Sequence, residues 1–405
     1  MGFQQGLSGL NAAAKNLDVI GNNVANANTV GFKGSQAQFA DVYANSLGGA
    51  GAIGIGTRVA TVAQQFGQGN ITTTNNSLDM AINGNGFFRL SNNGAIVYSR
   101  NGQFQMDKNG YIVNNQGYRL TGFLPNAAGV IVATAPAEIQ ISTADLLPRA
   151  TAGVTAGLNL DSRSAIIPAA PVFDPANAAT FNNSTSMTIY DSLGNSHVAS
   201  VYFAKTATNA WNAYLTIDGA LTPAGSGLLT GMTFATNGTL LTPATPVTSA
   251  GFTPTGAAAQ TLTFNFASTS QFGGNFGVNS LTQDGYTSGR MTGFTTGADG
   301  LISGRYSNGQ TRTLGQVVVS NFSNPQGLQP LGGNEWAESS ASGSPLTGTP
   351  GSASLGVLQS SAVEDSNVDL TAELVNMITA QRVYQANAQT VKTQDQVLQT
   401  LVNLR

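Results

Sequence analysis

Near the start of the chain, Phe3, Leu7, Leu10, Ala14, Leu17, Gly21 and Val24 recur every three or four positions. That spacing gathers them on one narrow face, so an N-terminal amphipathic helix is predicted. At the other end, Val357 to Arg405 contains no Gly or Pro, although the chain holds 49 and 14 of them. There Leu370, Leu374, Met377, Gln381, Tyr384, Ala388, Val391, Asp395, Leu398 and Val402 alternate by four and three, as in a heptad seam. Ser366 followed by Asp369 reads as a capping box and predicts a helix from about Val368. Run as one helix to Arg405, it would span roughly 57 Å at about 1.5 Å per residue, longer than packing on a globular core requires.

Between these ends the pattern changes to short alternating runs punctuated by Gly and Asn. FFRLSNNGAIVYS from Phe87 and FQMDKNGYIVNNQGYRLTGF from Phe104 predict hairpins, and further strands are predicted from Met187, Trp211, Thr261 and Thr313. Gly219 to Gln283 holds no charged residue, and Pro-bearing stretches lie near Pro136, Pro148, Pro168 and Pro345. The expected architecture is multi-domain, with mainly antiparallel β middle and outer domains, the outer inserted in the middle one. An N-terminal helix and linker occupy 1–70, a discontinuous β-rich middle domain 71–145 and 284–360, an inserted β-rich outer domain 146–283, and a C-terminal helix 361–405.

Chain ends fray unless docked, so long apolar seams at both ends point to contacts with other subunits. The alternative, that both helices pack on their own globular core, stays open from pattern alone. The candidate subunit contacts are Phe3, Leu7, Leu10, Leu17, Val24, Leu370, Leu374, Met377, Tyr384, Val391, Leu398 and Val402.

Composition narrows the function. Charged residues make up 9% of the chain against about 25% in ordinary domains, which leaves a surface that is polar without being ionic. The net charge of -3, with no Lys/Arg cluster, removes the counterion release on which nucleic-acid affinity rests. No run approaches the roughly 18 apolar residues of a membrane span, and the N-terminus lacks the basic start and apolar stretch of a secretory signal. With no Cys and one His, disulfides, thiolate ligands and a pair of imidazoles for zinc are excluded, and no cofactor or metal is expected.

Three local patterns suggest chemistry and fail on context. Gly49, Gly51 and Gly54 have the spacing of a dinucleotide-binding loop, but the segment after them looks extended and no βαβ unit surrounds it. Asp191, His197 and either Ser192 or Ser196 supply the residue types of a nucleophile, base and acid, yet all sit on one hairpin whose DSLGN centre is turn chemistry. Asp107, Asn109 and Gly110 begin like a calcium loop, but position twelve is Tyr118 where a bidentate Glu is needed.

The stretch VIGNNVANANTVGFK from Val19 resembles the N-terminal signature shared by flagellar rod and hook axial proteins, with Asn23, Ala25, Asn26, Thr29, Gly31, Phe32 and Lys33 at its recognisable positions. SLDMAINGNGFFRL from Ser77, the hairpins from Tyr98 and the helix from Ser366 resemble further shared blocks of the same family, in the same order. The large β insertion follows the hook pattern of that family, since rod proteins are much shorter. GVTAGLNLDSR from Gly153 looks like the start of the hook's outer domain.

The resemblance implies a non-enzymatic structural subunit of the bacterial flagellar hook. Copies would form a helical homopolymer, a curved tube with coiled-coil-forming termini packed together inside and β domains outside, acting as a universal joint from rod to filament. It implies export through the flagellar type III apparatus without a cleaved signal. Implied partners are the chain itself, the distal rod, hook cap, hook–filament junction and hook-length control proteins. A distal rod protein of the same family is the nearer alternative, and a secreted β-rich hydrolase the more distant one.

Overall fold

Both terminal helices form: α1 spans Gly2–Ala25 and α2 spans Leu370–Asn403, in a computed structural model that describes residues 2–42, 54, 56–126 and 129–403. The 34 residues of α2 extend about 51 Å. Its start differs from the expected capping box. Asp369, not Ser366, is the N-cap, its Oδ1 accepting from the amides of Thr371 (2.8 Å) and Ala372 (3.1 Å). Ser366 Oγ instead accepts from Val368 N, which keeps Val368 outside the helix.

The chain divides into two compact units, one of Met1–Thr143, Gly293–Arg305 and Thr311–Arg405, the other of Ala144–Thr292 and Tyr306–Gln310. In the first, strands Phe87–Asn92 and Ala95–Ser99 pair antiparallel through Asn93 (φ 50°) and Gly94 (φ 97°). Two consecutive left-handed residues are what a type I′ hairpin needs, which is why NNG lies at the bend. The inward side chains of this unit converge on Phe87, Tyr98, Phe322, Leu328 and Trp336, with Phe66 packed against them. Phe87 and Phe66 each meet Trp336 edge-on at 5.6 Å. The indole Nε1 donates to Gln64 Oε1 at 2.6 Å, so the end of strand Gly56–Gln64 is fastened to this core.

The second unit is two sheets around one core. Strands Asn183–Tyr190, Ser196–Ala207, Ala210–Ile217 and Leu228–Phe234 form an antiparallel meander. Alternation along Ala210–Ile217 turns Trp211, Ala213 and Leu215 inward. Opposite them Gly153–Asp161 pairs antiparallel with Gly277–Gln283 but parallel with the short strands Thr263–Asn265 and Ser270–Phe272. Those parallel pairings are a departure from the hairpins expected there. The uncharged stretch supplies Phe234, Leu262, Phe264 and Phe266 to the core, and Gln271 Oε1 accepts from Trp211 Nε1 at 2.7 Å.

The observed unit is wider than the expected 146–283. Leu146 N donates to Gly289 O (2.7 Å) and Arg149 N to Tyr286 O (2.9 Å), so the segments entering and leaving it are bridged to each other. Asp284, where charge resumes, accepts from the amides of Ala152 and Gly153 at 2.9 Å each. The returning charge is therefore a cap within the unit and not a mark of its edge.

Candidate assembly interface

Sequence around the end of α1 builds a tightly bonded junction. Gly31 turns with φ 71°, and a Cβ there would lie 2.6 Å from Asn101 N, so only glycine fits. Its amide donates to Glu364 O at 2.8 Å. Buried Asn23 pairs with the backbone of Ser35 through both its oxygen (2.9 Å) and its nitrogen (2.8 Å), and donates to Glu373 Oε1 at 3.1 Å. Asn26 donates to Asn22 O, Thr29 N closes a turn onto Asn26 O, Phe32 is buried, and Ala25 ends α1 exposed. Asn367 accepts from Gly34 N (2.8 Å) and donates to Gln65 O (2.6 Å), joining the strand after α1 to the segment before α2.

At the centre of this junction is a buried carboxylate. Glu364, with no side-chain exposure, holds Lys33 Nζ at 2.7 Å through one oxygen and Arg100 Nη1 at 3.0 Å through the other. Gly69 N donates to Oε1 at 2.8 Å, Lys33 also donates to Gly67 O, and Arg100 to Gly84 O. Burial draws the Lys33 ammonium and the Arg100 guanidinium below their ordinary pKa ranges, and Glu364 opposes the fall in both. Lys33 is one of the signature positions; the carboxylate it pairs with, Glu364, lies 331 positions along the chain and carried no sequence signal.

The two helices meet antiparallel on a face that the stripe did not mark. A Cβ on Gly6 would come within 2.9 Å of Val391 Cγ2, and one on Gly9 within 2.6 Å of Asn387 Oδ1. Ala12, Ala13 and Ile20 on α1 and Ala380 on α2 are buried. Small side chains let the helix backbones approach, while the bulky stripe points elsewhere.

Phe3 and Leu7 are each 45% exposed, and Leu10, Leu17 and Val24 are half-buried. On α2, Leu370, Leu374, Tyr384, Leu398 and Val402 are exposed and Met377 is half-buried. Val391 differs from the expectation of a purely intersubunit contact, because its side chain already covers Gly6 of its own chain. Val375 and Ile378 add exposed apolar surface that the heptad reading missed.

The patterns that suggested chemistry resolve as turns. Gly49 and Gly51 lie outside the described residues, and Gly54 precedes the extended strand Gly56–Gln64. Asp107 Oδ1 accepts from the amides of Asn109 and Tyr111, closing a β-turn. Ser192 Oγ accepts from Ala258 N. His197 lies between two carboxylates, Nδ1 at 2.6 Å from Asp218 and Nε2 at 3.4 Å from Asp191. Asp218, twenty-one positions away, was not foreseen.

Burial alone would raise the Asp191 pKa, but hydrogen bonds from Asn195, Leu193 and His197 outweigh it and hold the group at about 2. The hydrogen bond to Asp218 raises the His197 pKa, burial opposes, and Asp191 adds to the rise. A raised folded value means stabilisation that is complete below the unfolded pKa of about 6.5 and is lost as pH rises through the folded value. The second unit should therefore be less stable at pH 9 than at pH 6, by on the order of 1 kcal/mol given the solvent access of Asp218. Urea unfolding followed by Trp211 fluorescence in a Trp336→Phe background checks this, and His197→Gln should flatten the difference.

Four family profiles match the chain in order: "Flagella basal body rod protein" over residues 3–33, "Flagellar hook protein FlgE/F/G D1 domain" over 81–153, "Flagellar basal body protein FlaE D2 domain" over 159–286, and "Flagellar basal body rod FlgEFG protein C-terminal" over 359–404. Helical ends around such domains define an axial protein of the flagellum. The flagellar hook protein FlgE of Escherichia coli K12 is 44% identical over all of both chains, as is that of Salmonella typhimurium. That of Borreliella burgdorferi is 32% identical over 99% of this chain and 98% of its own. A crystal structure of Helicobacter pylori flagellar hook protein FlgE2 shares the fold over 71% of this chain and 99% of its own, with a TM-score of 0.51 and 14% identity. The chain belongs to the flagellar hook protein family, and its role is that of a structural subunit of the hook.

Proposed function

We propose that copies of this chain polymerise through the outward stripes of α1 and α2 into a bent tube that passes torque from rod to filament. The observation behind this reading is the division of labour on α1: its small face serves α2 of the same chain, which leaves Phe3, Leu7, Leu10 and Leu17 for a neighbour. Helices supply the lasting contacts, and the β units supply contacts that shift as the tube bends. The low charge of the second unit favours such shifts, because few fixed ion pairs must break. No catalytic step belongs to this reading. His197, the one imidazole, is engaged by two carboxylates, with Ser192 accepting a backbone hydrogen bond nearby.

Export through the flagellar type III apparatus, residence in the hook outside the cell, and contacts with distal rod, cap, junction and length-control proteins belong to the same proposal. Among the described residues no helix is long and apolar enough to cross a membrane.

Deleting the inserted unit tests the division. Cuts near Ala144 and Thr292, joined by a short flexible linker, remove the bridged entry and exit segments together. Subunits should still polymerise, because the stripes are untouched, but electron microscopy should show straighter hooks and motility plates poor swimming. Normally curved hooks would place the determinants of curvature elsewhere.

A further inference from the structure

Asn-Gly pairs occur at Asn83, Asn85, Asn93, Asn101, Asn109, Asn237 and Asn308. Glycine has no side chain to shield its amide, so in such a pair the Gly nitrogen can attack the Asn side-chain carbonyl carbon and close a five-membered imide. Two kinds of hydrogen bond oppose this in a folded chain. One holds the Asn amide away, and the other occupies the Gly N–H that must attack.

Most of the pairs are restrained in one or both ways. Gln68 clasps Asn83 and Gly84 together, its Nε2 donating to Asn83 Oδ1 (3.3 Å) and its Oε1 accepting from Gly84 N (2.9 Å). Asn237 Oδ1 accepts from Thr239 N and Oγ1 while Gly238 N donates to Ala235 O. Asn308 donates to Thr287 O and accepts from Gln310 N, and Gly309 N donates to Tyr306 O. A single bond restrains each of three more: Asn101 Oδ1 accepts from Gln103 N, Gly94 N donates to Ser91 Oγ, and Gly110 N donates to Asp107 O. Asn85 is the exception. It is exposed, and among the described residues nothing bonds to its side-chain amide or to Gly86 N–H.

We infer that Asn85 is a site of spontaneous conversion to isoaspartate in the folded subunit. The Gly86 nitrogen gives its proton to hydroxide and bonds to Asn85 Cγ; the Cγ–Nδ2 bond breaks, and Nδ2 takes a proton from water and leaves as ammonia. Water then opens the imide. Opening at Cγ gives aspartate, and opening at the main-chain carbonyl gives isoaspartate, in which the chain runs through Cγ and is one carbon longer. One water is consumed and one ammonia released, with no oxidant, reductant or cofactor.

The place of Asn85 gives the change a structural consequence. Its carbonyl accepts from Gly356 N (2.8 Å), and the carbonyl of Gly84 before it accepts from Arg100 Nη2 (2.8 Å). Isoaspartate turns the first acceptor into a carboxylate and lengthens the chain just ahead of Phe87, which is buried beside Trp336.

The full chain, kept folded in warm, mildly alkaline buffer made with heavy-oxygen water, tests this. Mass spectrometry of each Asn-Gly peptide reads label uptake, and an isoaspartyl methyltransferase marks the isomer. A net hydrogen bond that must open first slows the step about fivefold, so Asn85 should outpace Asn93, Asn101 and Asn109 by about fivefold and the doubly held Asn83 by about thirtyfold. In the urea-unfolded chain the pairs should converge on nearly one rate. Gln68→Ala, a change at an exposed position, should bring Asn83 close to the rate of Asn85. Another pair converting faster than Asn85 in the folded chain would overturn the inference. So would an Asn83 rate unmoved by Gln68→Ala, because hydrogen bonding would then not be what selects the site.

Discussion

Subunits carrying Leu398→Asp are expected to stay monomeric under conditions in which the unmodified chain polymerises. Leu398 is 53% exposed and lies beyond Val391, the residue that meets Gly6 near the start of α1. In the monomer the new carboxylate remains in water, so circular dichroism and the unfolding of both β units should be unchanged. In the polymer it would be enclosed among a neighbour's apolar groups without a counter-charge. Burying even a neutral polar group unpaired costs roughly 2 to 7 kcal/mol, and a charge more. Every 1.4 kcal/mol is about tenfold in association, so the critical concentration should rise by about thirtyfold or more. Sedimentation reads the change. Polymers of normal length from this variant would mean that the α2 stripe is not buried between subunits.

A second large effect is expected at Glu364. Replacing it with Ala leaves Lys33 and Arg100 buried with no carboxylate between them, and removing one partner of a buried pair typically costs about 3 to 5 kcal/mol. The two tryptophans make the loss assignable, since Trp336 lies in the core of the first unit and Trp211 in that of the second. In a Trp211→Phe background the Trp336 transition should move to much lower urea. In a Trp336→Phe background the Trp211 transition should stay where it was. Glu364→Gln keeps the shape and removes the charge, and should lose nearly as much. A small loss with Gln would assign the effect to packing, and unchanged Trp336 unfolding in both variants would contradict an energetic role for the cluster.

What sequence reading could reach follows from how local each signal is. The NNG bend after Phe87 was legible because a type I′ turn demands its residues at adjacent positions. The stripe from Phe3 to Val24 was legible because bulky residues stand out at helical spacing. The face that packs α1 on α2 was not, since Gly6, Gly9 and Ala13 look like gaps in a hydrophobic pattern when they are the points of closest approach. Lys33 was noticed only through resemblance; the partner that explains it, Glu364, is 331 positions away. Thr263–Asn265 could be read as a strand, but three residues do not reveal whether their partner runs parallel. Asp284 misled because a returning charge looks like a boundary when it is a cap on Ala152 and Gly153.

The pairing of Leu146 with Gly289 and of Arg149 with Tyr286 has a mechanical consequence. A load applied to the helical ends of a subunit enters through the segments after α1 and before α2, and these are bonded to each other at Gly34–Asn367 and Lys33–Glu364. Tension between the ends closes across that short bridge. The two connections of the inserted unit are likewise bonded to each other, at Leu146–Gly289 and Arg149–Tyr286, so a pull between the chain's ends need not run through that unit's core. The length and surface of the inserted unit can then change without touching the bridge at Gly34–Asn367 and Lys33–Glu364.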